Sequence, residues 1–191
     1  MDQHEFGINV KRRIIYLHNL GGEHSIDWKT SAQFIKNLDT LSASKNLITV
    51  KLISSDGGDL SDGLAIYSAI RTSPTPIRMI GYGFICSSAT LIMQAARERL
   101  LSRESEFMVH RGTVASEHTL NARSTVKSNH RINKRMLDIY AERCMHGSFF
   151  KSRNYSLSKT RSYLDTKIKN DGDIWLTPEE ALELGFIDGI V

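Results

Sequence analysis

The sequence predicts an α/β domain built from repeated strand–helix units. Three observations predict it. Strand-like and helix-like stretches alternate as β, α, β, α, β, α, β, β up to His110, an order that implies parallel pairing and right-handed crossovers. The run Leu47–Ile53 is apolar enough to sit centrally in a sheet. Short turns rich in Gly and Ser, Ser54–Gly58 and Gly81–Ser88, join strand directly to helix. At 191 residues the chain is most simply one domain, 1–191, and its 40% hydrophobic and 24% charged content is that of a globular protein.

Each element follows from local pattern. Residues 1–12 read as a short polar arm, Arg13–His18 as the first strand and Asn19–Gly22 as a turn. Ser25 is a candidate cap for a helix carrying Trp28, Phe34, Ile35, Leu38 and Leu41 at helical spacing. After the Leu47–Ile53 strand, a helix places Leu60, Leu64, Tyr67 and Ile70 on one face. Pro76–Ile80 is the next strand and runs into glycines. A helix with Leu91, Ile92, Ala95 and Ala96 follows, then the strands Arg99–Leu101 and Glu106–His110. A long helix is expected from about Leu120 to Met145, with Val126, Ile132, Met136, Ile139 and Tyr140 as candidate buried positions. Residues 147–155 read as a loop, 158–168 as a helix and Asp173–Leu176 as a short extended piece. Thr177 is an N-cap with Pro178 behind it, Gly185 stops that helix, and Phe186–Ile190 closes as a strand.

Composition narrows the chemistry. No apolar run is long enough to span a membrane, and the N-terminus has no signal pattern. Cys86 and Cys144 lack the partners of a zinc site and suit a reducing compartment, so a cytoplasmic protein with no metal and no cofactor is expected. Between Arg123 and Lys169 twelve Lys and Arg face only Asp138, Glu142 and Asp165. The plain reading is a solvated helix face. Contact with an acidic partner is the alternative, and without interleaved aromatics nucleic acid is disfavoured.

Three turns carry possible chemistry. Gly57-Gly58 lets the backbone turn sharply and present bare N–H groups; no phosphate-loop pattern accompanies it. Ser87 and Ser88 stand where a strand becomes a helix, so either hydroxyl is a helix cap or a nucleophile served by helix N–H groups. His110 ends a strand, where a lone histidine is usually structural. All three turns sit at strand ends, the side on which sites collect in such folds.

These residues also carry a resemblance. Ile53-Ser-Ser-Asp-Gly-Gly58 with Gly63-Leu-Ala-Ile-Tyr67, Gly83-Phe-Ile-Cys-Ser-Ser-Ala89, Phe107-Met-Val-His110 and the stretch Asp173–Asp188 occur in the order and spacing of the proteolytic subunit of the Clp protease. The chain resembles that serine peptidase family, which has a crotonase-like fold, over roughly residues 13 to 191. The resemblance implies Ser87 as nucleophile, His110 as base and Asp173 as the orienting carboxylate. It places the oxyanion-hole N–H groups at Gly58 and Ser88. It implies a peptide or unfolded-protein substrate, paired as a strand between the loop after Gly58 and the strand after His110. It also implies homo-oligomeric rings, a heptamer or stacked heptamers joined through a handle region at about 113–146, and an ATP-dependent unfoldase partner. The short arm at 1–12 stands against that last partner.

The sequence departs from the family at Asp56, where the family has Pro, and at Arg111-Gly112, where it has Gln-Pro. Ser88 and Ala89 replace Met and Gly, which leaves Ser88 as an alternative reactive hydroxyl. These departures suit a divergent, phage-type or accessory member. A catalytically silent structural or regulatory subunit is the second functional reading, and an acyl-CoA enzyme on the same fold the third.

Overall fold

The computed structural model describes residues 7–18, 25–112 and 122–191. The first six residues of the expected arm, the expected turn at Asn19–Gly22 and the segment 113–121, with the expected substrate strand after His110, lie outside the described residues.

One mixed sheet organises the molecule. Its strands are β1 (Ile8–Asn9), β2 (Ile14–Leu17), β3 (Ile48–Ser55), β4 (Ile77–Cys86), β5 (Glu98–Leu101), β6 (Glu106–Val109), β7 (Ile174–Leu176) and β8 (Gly189–Ile190). The helices are α1 (Trp28–Ser42), α2 (Leu60–Thr72), α3 (Ser88–Met93), α4 (Ala122–Cys144), α5 (Ser148–Ser152), α6 (Leu157–Asp171) and α7 (Pro178–Glu183). The order β1-β2-β3-β4-β5-β8 forms the main path, and β6 joins β4 to β7. Pairing is parallel except for β1 with β2 and β6 with β7. The core lies between the sheet and its helices, with Ile15, Val50, Leu52, Met79, Ile66, Leu91 and Ile92 fully buried.

Strand β4 splits the sheet. Its first half, Arg78–Gly81, pairs with β5, and its last residues, Phe84–Cys86, pair with β6. Strand β4 therefore continues through Gly81 and Gly83, where a turn was expected, with a shift of register against β3 at Gly83. Both glycines are needed at the fork. A side chain at Gly81 would come within 2.9 Å of Ile85 and Leu101, and one at Gly83, whose φ is 73°, would clash with the Ser54 hydroxyl. The split lets β6 carry His110 to the end of β4.

Four local expectations are corrected. Residues 8–9 of the arm form β1 by pairing with β2. The cap of α1 is Asp27, whose carboxylate accepts from the Thr30 N–H at 2.8 Å; Ser25 turns instead to Asp56. Residues 148–152 are a helical turn because Phe150 is fully buried against the rings of Phe149, Tyr155 and Tyr163. Val126 and Trp28 are 67% and 68% exposed, since burial in α4 begins near its middle, with Asn133, Met136 and Leu137, and α1 buries Phe34, Leu38 and Leu41 but not its first residue. Thr177 caps α7 with Pro178 behind it, as expected, and Glu180 completes a capping box with it. No helix among the described residues is long and apolar enough to cross a membrane.

Candidate active site

Ser87 sits on the bend between β4 and α3 with φ 55° and ψ −127°, a region costly for a residue with a side chain. Three contacts hold it there. Its N–H donates to the Met108 carbonyl of β6 at 2.9 Å. Its carbonyl accepts from the Thr90 N–H at 3.0 Å and the Thr90 hydroxyl at 2.6 Å. The Tyr140 hydroxyl of α4 meets that same threonine at 2.7 Å. The Ser87 hydroxyl makes no cap bond to α3. It meets His110 Nε2 at 2.6 Å.

The histidine and the aspartate arrive by strand register. β6 and β7 pair antiparallel with Val109 opposite Ile174, so the next residues out, His110 and Asp173, face each other. His110 Nδ1 lies 3.4 Å from Asp173 Oδ1, and the two side chains are 30% and 59% exposed. The three expected residues are thus brought together, with a tight serine–histidine contact and a looser histidine–carboxylate one.

The glycine turn lies directly against the serine. A Cβ on Gly57 would fall 2.6 Å from Ser87 Cβ, and the φ of 95° at Gly57 and 142° at Gly58 favours glycine in any case. Ile26 donates to the Gly57 carbonyl and accepts from the Asp59 N–H, both at 2.9 Å, so this bridge passes over the Gly58 N–H. Ser88 is the first residue of α3, and its N–H has no carbonyl within the helix to reach. The Ser88 hydroxyl is a different matter. It is buried with no hydrogen-bond partner, packed against Gly63, and so is turned away from His110.

The departures at Asp56 and Arg111 acquire partners. Asp56 Oδ1 accepts from the Ser25 hydroxyl at 2.7 Å and the Ser25 N–H at 3.2 Å, which fixes the turn that a proline would otherwise stiffen. Arg111 donates to Asp165 of α6, which also takes Lys169 at 2.6 Å. Burial pushes the Asp165 carboxyl up, but the hydrogen bonds from Lys169 and Arg111 outweigh it and leave its pKa below the ordinary carboxylate value. Gly112 forms a two-way amide clamp with Asn133 of α4, both bonds 2.9 Å. The chain just past His110 is therefore tied to α4 and α6. Asn133 and Asp165 escape sequence reasoning. The one signal for Asp165 was that it is an acid within a basic stretch.

Cys86, next to the serine, is buried. That burial, with the carboxylates of Asp56, Glu106 and Asp173 nearby, pushes its thiol up to about 11. It stays protonated at neutral pH and offers no competing nucleophile. Among the described residues no group of three or more His, Cys, Asp or Glu is placed to hold a metal ion.

Fold and site together define an α/β protein that gathers a serine and a histidine at the ends of two parallel strands, β4 and β6, with an aspartate at the start of the antiparallel β7. Comparison with known proteins narrows that class. The family model for Clp protease matches residues 5–191, and the chain belongs to the Clp protease family. The ATP-dependent Clp protease proteolytic subunit 2 of Treponema pallidum is 30% identical over 164 residues, covering 81% of this chain and 70% of that protein. Subunit 1 of Chlamydia muridarum is 24% identical over 192 residues, covering 95% and 90%. A solved structure of a ClpP1 mutant from Listeria monocytogenes matches with a TM-score of 0.74 at 22% identity, covering 95% of this chain and 92% of that one, which shows the shared crotonase-like fold. At these identities the chain is a divergent member.

Proposed function

We propose that this chain is a serine endopeptidase that hydrolyses peptides or unfolded protein through an acyl-enzyme. The observation that carries the reading is the 2.6 Å contact between Ser87 Oγ and His110 Nε2, made by a hydroxyl that forgoes the helix cap it is placed to make. In the reaction Ser87 Oγ attacks the scissile carbonyl while His110 Nε2 takes its proton. Asp173 holds the ring through Nδ1 and stabilises the imidazolium. The N–H groups of Gly58 and Ser88 receive the developing oxyanion. His110 then returns the proton to the leaving amine, and water repeats the sequence to release the acid. The 3.4 Å separation at Asp173 is expected to shorten when substrate is bound, as such contacts do.

The family relationship supports an oligomer, and we read it as homo-oligomeric rings that enclose the sites, with α4 in the handle region. Sedimentation over a salt series checks this, and a monomer throughout would contradict it.

The direct test is labelling with a serine-directed fluorophosphonate read by intact mass. Wild type and Ser88→Ala are expected to gain one adduct, and Ser87→Ala none. Loss of labelling only in Ser88→Ala would move the nucleophile by one residue. No adduct on any form, with the oligomer intact, would favour a catalytically silent Clp-like subunit.

A further inference from the structure

Helices α2 and α3 begin at the active site, at Asp59 and Ser87, and run away from it. At the far end of α2, about 20 Å along its axis, a groove of about 460 Å³ opens between the last turns of α2 and α4, the segment 95–97 that follows α3, and the start of β4. Arg71, Arg97 and Arg143 line it, and none of its lining residues is acidic. Pro74, Pro76 and Ala95 give it an apolar wall.

Arginines near helix C-termini have an ordinary role, since each helix end carries about half a negative charge. Two such ends, those of α2 and α4, amount to about one charge, against three guanidiniums. Arg143 shows that the excess is real. Its Nη2 donates to the Ala96 carbonyl at 2.9 Å, but its Nε is buried with no acceptor. Its closest carboxylate, Asp188, is 4.0 Å away and is already held by both arms of Arg99. Burial, then the neighbouring positive charges of Arg99 and Arg71, pull the Arg143 pKa down despite Asp188. Among the described residues neither Arg71 nor Arg97 forms an ion pair, and both are exposed.

We infer that this groove is a binding site for a phosphorylated small molecule of nucleotide size. Its phosphate would be held by Arg71, Arg97 and Arg143, and its ring by the wall of Pro74, Pro76 and Ala95. Guanidinium forks match phosphate oxygens two at a time. The volume lies in the range of small-molecule sites. The site is independent of the peptidase reading, because it shares no residue with the Ser87 centre.

The test is calorimetric titration of the full chain, in its native assembly, with AMP as probe and adenosine as control. AMP is expected to bind saturably at one site per chain, and adenosine not to bind. The double variant Arg71→Gln/Arg97→Gln, which removes only exposed and unpaired cations, is expected to weaken AMP at least tenfold. The urea midpoint and the size of the assembly are expected to be unchanged in it, which certifies the fold. No saturable binding of AMP up to millimolar concentration overturns the inference. So does equal binding by the double variant, or binding of adenosine as tight as that of AMP.

Discussion

Two polar clusters sit on the same sheet and are built to opposite rules. Around Arg99, only 3% exposed, every guanidinium nitrogen has an acceptor. Nε and Nη2 bond the two Asp188 oxygens at 2.9 and 2.5 Å, and Nη1 reaches Gln94 Oε1 and the carbonyls of Gly185 and Phe186 at 2.6, 2.9 and 3.0 Å. The cluster ties β5 to the chain between α7 and β8, and nothing in it is left to react. Around Ser87 the backbone is strained, the carboxylate is more than half exposed, and the Gly58 and Ser88 amides have no carbonyl acceptor among the described residues. A polar group that holds the fold is saturated; one that is to do chemistry keeps capacity unspent.

The largest effect that sharpens this contrast is kinetic. Ser87→Ala is expected to lower peptidase turnover by about 10⁴- to 10⁶-fold, while its urea midpoint stays close to that of wild type. A comparable loss of stability would mean that the serine hydroxyl holds the fold, and the contrast would fail.

Arg99→Met tests the other cluster. It strands Asp188 and two backbone carbonyls in a half-buried site and is expected to cost about 3–5 kcal/mol in urea unfolding. Lysine should recover little, because an ammonium cannot meet acceptors spread around a planar fork. Near-wild-type stability of Arg99→Met would refute the structural role. Acid unfolding carries the same signature. Burial raises the Asp188 carboxyl, but the hydrogen bonds and charge of Arg99, then Arg143, more than reverse this and lower its pKa. A carboxyl depressed in the folded state binds its proton less readily than in the unfolded chain. Its stabilisation is therefore full above the ordinary carboxylate value, about 4, and drains away as pH falls through the folded value. Asp188→Asn is expected to flatten that acid limb relative to wild type.

The two clusters also differ in how far they could be read from the chain. The turns of the Ser87 centre were legible because they lie at punctuation marks, Gly57-Gly58 and Ser87-Ser88 between strand and helix and His110 at a strand end, whereas Asp173 was singled out only by the family resemblance. The local pattern could not choose between capping and chemistry at Ser87, since that depends on a histidine 23 residues away in the chain; only the family resemblance made the choice. The Arg99 cluster left no mark. Arg99-Leu-Leu reads as a short strand, and its partner carboxylate lies 89 residues further on. Nothing in a two-residue period announces that an arginine faces inward. Asp27 displaced Ser25 as a helix cap for the same reason: Ser25 and Asp56 are neighbours only once the sheet has formed. The extension of β4 through Gly81 and Gly83 likewise needed the fork between β5 and β6, which is a property of the sheet and not of the segment.

The smallest expected effect bears most closely on the strain at Ser87. A side chain at φ 55° and ψ −127° costs on the order of 1–3 kcal/mol, and alanine in place of serine keeps that cost. Glycine removes it, at the expense of about 0.4–1 kcal/mol from the greater freedom of the unfolded chain. Relief exceeds that loss, so Ser87→Gly is expected to be more stable than Ser87→Ala by about 1 kcal/mol. Both variants lack the hydroxyl, which removes it from the comparison and leaves the backbone alone to be measured. A glycine variant no more stable than the alanine one would mean that the bonds to Met108 and Thr90 have made the bend comfortable. The contrast would then rest on the unspent hydrogen-bond capacity of the site and not on strain.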